Sequence, residues 1–180
     1  TFDSHRIISR SYYLNFFILR GRNKIKAENL YVPTNKVRIM ALYLIGLGLH
    51  DEKDITVKGL EAIKACKKVY LETYTSQNNT SIQNMEKIYG KKIIPIQRSF
   101  VEEDAHKLLQ EAKKEDVALL IIGAPLAATT HIDVFLEAKK QKIPVEVIEN
   151  ASVLTAIGIT GLFLYKFGRT TTIPLDNKEI

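Results

Sequence analysis

The chain has 180 residues, of which 46% are hydrophobic, and 26 Lys and Arg against 20 Asp and Glu give a formal net charge of +6. That apolar fraction excludes a disordered chain and suffices for a packed core. The single cysteine, Cys66, excludes an intrachain disulfide and a Cys-x-x-Cys metal site, and no run reaches the roughly 18 apolar residues of a membrane span.

The charge excess is local. Residues 1–39 carry eight basic and two acidic side chains, so the whole +6 lies there, and residues 40–180 are balanced. Tyr12, Tyr13, Phe16 and Phe17 crowd the same segment without a clean period. Such a leader can be an arm that tracks phosphates and stacks bases, a targeting segment, being Arg-rich and acid-poor, or sequence upstream of a native start. The last reading is preferred, because Met40 stands directly before a strong strand pattern.

From Met40 the elements follow in order. Residues 41–46 form a short apolar strand. Residues 56–66 read as a helix, with Val57, Leu60, Ile63 and Lys64 at helical spacing and Thr56 as N-cap. A second strand covers 68–74. A helix over 81–89 places Ile82, Met85, Ile88 and Tyr89 on one face, and Gly90 closes it. A third strand covers 92–96. Ser99 then opens a longer helix, with Glu102 completing a capping box and Ala105, Leu108, Leu109 and Ala112 facing inward. The unbroken apolar run 117–122 marks a strand buried on both faces. A helix follows to about Gln141, with Thr130 and Asp133 as its capping box. The fifth strand is 144–148, and a last helix over 152–163 is weakened by Gly158 and Gly161. Five strands alternating with five helices predict the α/β class, a five-stranded parallel sheet with helices on both faces. Ligands on such sheets bind at the carboxyl ends of the strands, here 46–49, 72–76, 123–127 and 149–153.

Those ends carry the unusual residues. Gly46-Leu-Gly48 lacks the third glycine and the immediate helix that a dinucleotide fold needs, so it is weak as a nucleotide signature. It fits a tight turn where backbone can approach a ligand. In Gly123-Ala-Pro-Leu-Ala-Ala-Thr-Thr-His131, a sharp turn and small residues suit either a flat ring lying on backbone or close helix–sheet packing. His131, in the first turn of a helix, is expected neutral and hydrogen-bonding. Cys66, read as mid-helix on an apolar surface, is expected inert. There is no Gly-x-Ser-x-Gly elbow. No residue earns a catalytic assignment, although Glu72, Tyr74 and His131 are candidates near strand ends, and no metal set is evident.

Leu44-Ile-Gly-Leu-Gly-Leu-His-Asp-Glu-Lys-Asp-Ile-Thr-Val-Lys-Gly-Leu60, Leu71-Glu-Thr-Tyr-Thr-Ser76, the 123–131 stretch, Ile157-Gly-Ile-Thr-Gly161 and Leu164-Tyr-Lys-Phe-Gly168 occur in that order. Together, over about 41–175, they resemble the diphthine synthases of the tetrapyrrole methylase superfamily; residues 1–39 have no counterpart. The resemblance implies a cytoplasmic, homodimeric two-domain α/β methyltransferase that binds S-adenosylmethionine between its domains. Such enzymes methylate the amino group of a modified histidine on translation elongation factor 2 during diphthamide synthesis, and no nucleic-acid or membrane partner is implied. Gly-Ile-Thr-Gly and Thr-Thr-Thr-Ile-Pro look more like archaeal members, which stop at the trimethylamino product. Position by position, the resemblance implies cofactor contacts at Leu49, Ala124, Ala127, Ser152 and Val153. The family usually has Gly-Asp-Pro where this chain has Gly123-Ala124-Pro125, so weaker cofactor binding is expected, with a backbone contact left at Ala124. The implied layout is a leader at 1–39, the first methylase domain at 40–168, and a linker at 169–180 into a second α/β domain that is truncated. Two other functions compete: a tetrapyrrole (precorrin-type) methylase and a non-catalytic binding module.

Overall fold

The structure, a computed structural model, describes residues 40–76, 79–127 and 129–169. The expectations placed on the leader and on 170–180 fall outside the described residues. Five strands form one sheet: β1 (Leu42–Gly46), β2 (Lys68–Glu72), β3 (Ile94–Ile96), β4 (Val117–Ile121) and β5 (Val145–Ile148). All are parallel, in the order β3-β2-β4-β1-β5. The central β4 is buried at every residue, as its unbroken Val-Ala-Leu-Leu-Ile run requires of a strand covered on both sides.

The helices α1 (Val57–Ala65), α2 (Ile82–Tyr89), α3 (Arg98–Glu102), α4 (Ala105–Ala112), α5 (His131–Lys140) and α6 (Val153–Ala156) occupy the connections. Ile63 of α1 with Met85 and Tyr89 of α2 packs on Ile45, Val69, Leu71 and Leu120 on one sheet face. Leu108 and Leu109 of α4 with Val134 and Ala138 of α5 cover Leu42, Leu44, Leu119 and Ile121 on the other. The connection leaving β1 therefore lies on one face and that leaving β4 on the other, although the two strands are neighbours. Their carboxyl ends form the topological switch point where α/β sheets bind ligands.

The local signals at Thr56, Ser81 and Gly90 act as the sequence predicts. Thr56 Oγ1 accepts from Gly59 N, Ser81 Oγ accepts from Asn84 N, and Gly90 is left-handed at φ 69°. Others do not. β2 ends at Glu72, because the Glu72 carboxylate accepts from Thr75 N and turns the chain. β3 starts at Ile94, because Ile93 N is committed to Glu86 Oε1 of α2. The helix expected from Ser99 starts at Arg98 and is broken in two: α3 closes through Glu103 N to Ser99 O, and Gln97 caps it without a side-chain bond. The Thr130–Asp133 capping box does not form; Thr130 is itself helical, and Thr129 Oγ1 accepts from His131 N instead. Val57 is 76% exposed, and the buried residues of α1 are Gly59 and Ile63. Cys66 is the extended C-cap of α1 rather than a mid-helix residue, and it is buried. The last helix shrinks to α6 and a 3-10 turn at Ile157–Thr160 ended by Gly161 at φ 80°. None of its residues is buried, so no packing offsets the cost of a longer helix.

Candidate functional site

The carboxyl ends of β1, β4 and β5 meet at Gly123. Gly123 N donates to Gly48 O at 2.8 Å, and the two glycines pair as an antiparallel bridge. Both hold positive φ, 83° and 81°, which a side chain rarely adopts. A Cβ on Gly46 would sit 2.5 Å from Gly123 O and 2.8 Å from Asn150 Cβ, and one on Gly48 would sit 2.5 Å from Asp54 Cβ. Gly46 lets two backbones touch, and Gly48 leaves room for the Asp54 side chain. Gly123 differs: a Cβ there would meet Leu49 Cδ2 and Ala151 O, each at 3.7 Å, an ordinary contact distance. The space over Gly123 is therefore a shallow cradle, with Leu49 on one side and the Ala151 carbonyl on the other.

Two polar side chains fix this arrangement. Asn150 Nδ2 donates to Gly46 O and to Asp54 O, each at 3.0 Å, and Oδ1 accepts from Ala151 N at 2.7 Å. Asp54 Oδ2 accepts from Leu49 N at 3.1 Å and His50 N at 2.9 Å. Sequence reasoning missed both. Their signal was modest: an acid two residues before the helix cap, and an Asn directly after a strand-end acid. Asn150 also begins an Asn-x-Ser pattern, but its amide is spent inside the fold.

The five sequence-predicted contacts lie around this junction in different states. Leu49 is 38% exposed and forms one wall of the cradle. Ala124, 8% exposed, follows Gly123, and its carbonyl accepts from Ala127 N at 3.3 Å. Ala127 is half-buried in the same turn. Ser152 adjoins the Ala151 wall, but its hydroxyl accepts from Leu154 N and so caps α6. Val153 is 64% exposed at the start of α6. The residues suit a flat, partly polar ligand: a glycine cradle, the apolar Leu49 wall and the Ala151 carbonyl beside them.

A second cluster lies beside β4 at the end of β2. Glu72 is fully buried; Oε2 accepts from Thr75 N at 3.0 Å, and Oε1 is buried with no hydrogen-bond partner. His131, also fully buried, has Nδ1 2.8 Å from Thr129 Oγ1 and Nε2 3.4 Å from Tyr74 Oη. Burial holds the His131 imidazole below its ordinary pKa against the opposing pull of the Glu72 charge. Burial likewise raises the Tyr74 phenol, so it stays protonated. The Arg98 guanidinium lies 5.4 Å from the Tyr74 ring centroid. Thr73, Ser76, Thr80, Ile82 and Ile122 line an open cavity of about 290 Å³ beside this strand end. Among the described residues no cluster of His, Cys, Asp and Glu could hold a metal ion, and no helix is long and apolar enough to cross a membrane.

The model of the tetrapyrrole (corrin/porphyrin) methylases matches residues 41–174. The chain is 52% identical over 136 residues to the diphthine methyl ester synthase of Dictyostelium discoideum, covering 74% of this chain and 50% of that one. It is 52% identical to the human enzyme of that name, covering 73% and 46%. The chain thus spans about half the length of the curated relatives it matches. A crystal structure of diphthine synthase superposes with a TM-score of 0.69 at 45% identity, over 71% of this chain and 51% of that one. A conserved hypothetical protein from Aeropyrum pernix superposes with a TM-score of 0.65 at 28% identity, covering 72% and 46%.

Proposed function

Because the chain belongs to the tetrapyrrole (corrin/porphyrin) methylase family, we propose that it is an S-adenosylmethionine-dependent methyltransferase of diphthamide synthesis. Its acceptor is the amino group of the modified histidine on translation elongation factor 2. The observation that carries this reading is the cradle over Gly123, where three strand ends converge at the switch point of the sheet. Leu49 touches the cofactor, Ala124 offers backbone, Ala127 lines the adenosine or methionine pocket, and Ser152 and Val153 meet its polar groups next to Ala151. S-adenosylmethionine supplies a methyl group on a positively charged sulfur. The chain's residues hold that group and the amine in line, and this orientation alone can provide much of the acceleration.

The reading extends to a methylase domain at 40–168, with 1–39 outside it and 169–180 leading toward a second domain, and to a cytoplasmic homodimer. Names among the relatives favour a further step. Diphthine methyl ester synthases from eukaryotes are 50–55% identical to this chain, whereas the Aeropyrum pernix protein is 28% identical. This turns the archaeal leaning of the sequence motifs toward the eukaryotic type, in which a carboxylate methyl ester follows the amine methylations. Mass spectrometry of elongation factor 2 after reaction with the protein from its complete reading frame tests both. Methyl groups on the histidine substituent support the reading, and methylation of a tetrapyrrole instead would refute it.

A further inference from the structure

The hydrogen bonds around Thr129 point to one tautomer of His131. The Thr129 hydroxyl has one proton, and its Oγ1 lies 3.1 Å from Pro125 O, which can only accept. With that proton given to Pro125, Thr129 Oγ1 is an acceptor toward His131 Nδ1 at 2.8 Å, so Nδ1 carries the imidazole proton. His131 Nε2 is then a bare lone pair facing the Tyr74 hydroxyl, which donates to it across 3.4 Å. That spacing is long, as such contacts commonly are before a substrate tightens them. The charge of Glu72 acts on the imidazole, and Glu72 is itself fully buried with Oε1 unpartnered. An unpaired buried carboxylate oxygen is costly, and a positive charge forming nearby would offset that cost.

The cluster is tied to the cradle. Thr129 joins His131 to Pro125 of the Gly123-Ala-Pro turn, and β2 runs beside β4. Tyr74 is only half-buried, unlike His131 and Glu72, so it is the member that can meet a substrate. The other charged groups acting on it are Arg98, over its ring, and Glu102.

We propose that Tyr74, His131 and Glu72 form a proton relay that accepts the proton released when the acceptor amine is methylated; this rests on the methyltransferase reading above. In each round a bond forms between the amine nitrogen and the methyl carbon, and the carbon–sulfur bond breaks, leaving a neutral thioether and an ammonium. In the first two rounds the ammonium proton passes to Tyr74 Oη as the phenol proton passes to His131 Nε2; the quaternary nitrogen made by a third round carries no proton to pass. The nitrogen regains its lone pair for the next methyl group, and the imidazolium is balanced by the Glu72 carboxylate. Tyr74 is the contacting member; His131 and Glu72 act through it as positioning residues.

The test uses the protein from its complete reading frame. Tyr74→Phe should lower the rate of amine methylation about 10- to 100-fold near neutral pH, with S-adenosylmethionine affinity changed less than about threefold as checked by calorimetry. The deficit should shrink as pH rises and the amine loses its proton unaided. Tyr74→Phe combined with His131→Asn should be no slower than His131→Asn alone, because the two act as a unit. A Tyr74→Phe rate within about threefold of the parent at every pH, or losses that multiply, would overturn the relay. Nitrogen NMR of the His131 ring in the parent protein is independent of turnover: an Nδ1–H tautomer supports the relay, and an Nε2–H tautomer overturns it. If the parent methylates no amine on elongation factor 2, the functional reading fails, and the imidazole spectrum still decides the hydrogen-bond arrangement.

Discussion

Gly46→Ala probes the junction most sharply. The added methyl would lie 2.5 Å from Gly123 O, 2.8 Å from Asn150 Cβ and 3.0 Å from Pro125 Cδ. The first contact is with backbone and cannot be relieved by a rotamer change, so the β4 turn must move away from β1. Such overpacking costs about 1–3 kcal/mol. Displacing Asn150 also strains its bonds to Gly46 O and Asp54 O, and losing one adds about 1 kcal/mol. The expected destabilisation is therefore about 2–4 kcal/mol, a fall in Tm of roughly 6–16 °C for a domain of this size. Urea denaturation of the variant and the parent measures it, with S-adenosylmethionine titrations alongside to detect the displaced cradle. Gly158→Ala is the control, since a Cβ there meets nothing within 4 Å. A Gly46→Ala protein within about 0.5 kcal/mol of the parent, with ligand affinity unchanged, would refute the close-approach argument.

Asp54→Ala removes the acceptor of Leu49 N and His50 N. It should cost about 1 kcal/mol, because the freed groups are exposed and can find water, and should weaken S-adenosylmethionine binding through Leu49, which calorimetry would register. Ala124→Asp places in this turn the carboxylate that the resemblance to the diphthine synthases leads one to expect there. A charged hydrogen bond to the cofactor should tighten binding about tenfold or more, and unchanged affinity would show that the position makes no such contact. Below the ordinary His value of 6.5 an unfolded His131 takes up a proton, whereas burial holds the folded group lower. Its contribution to stability is therefore complete above that pH and lost as pH falls through the folded value. His131→Gln should flatten this limb in urea titrations run across pH.

The sheet was legible because its signals are short-range and repeated. The Val-Ala-Leu-Leu-Ile run of β4 has one home in a parallel sheet, and Thr56, Ser81 and Gly90 are end signals that need no distant partner. Failures occurred where a neighbouring side chain outside the expected pattern took the backbone group. Glu86 of α2 claims Ile93 N and trims β3, and Thr129, tied to Pro125, displaces Thr130 as the group that bonds the start of α5. At the site, the glycines announced a close backbone approach. The choice between a ligand cradle and mere packing needed the distances, since Gly46 is crowded whereas a Cβ on Gly123 would make only ordinary contacts. Asn150 was invisible because its Nδ2 partners, Gly46 O and Asp54 O, are backbone groups brought close only by the fold, and Asp54 because its bonds to Leu49 N and His50 N follow no common turn signal. Glu72, Tyr74 and His131 were visible as residue types, but their connection through Thr129 was not.

The central claim is methyl transfer to elongation factor 2. The direct measurement incubates the protein from its complete reading frame with elongation factor 2 bearing the 3-amino-3-carboxypropyl histidine and methyl-labelled S-adenosylmethionine, then locates the label by peptide mass spectrometry. The account predicts label on the amino nitrogen of that one side chain, and none on elongation factor 2 lacking the substituent. Absence of label from the modified histidine, or equal labelling of the unmodified protein, would contradict it.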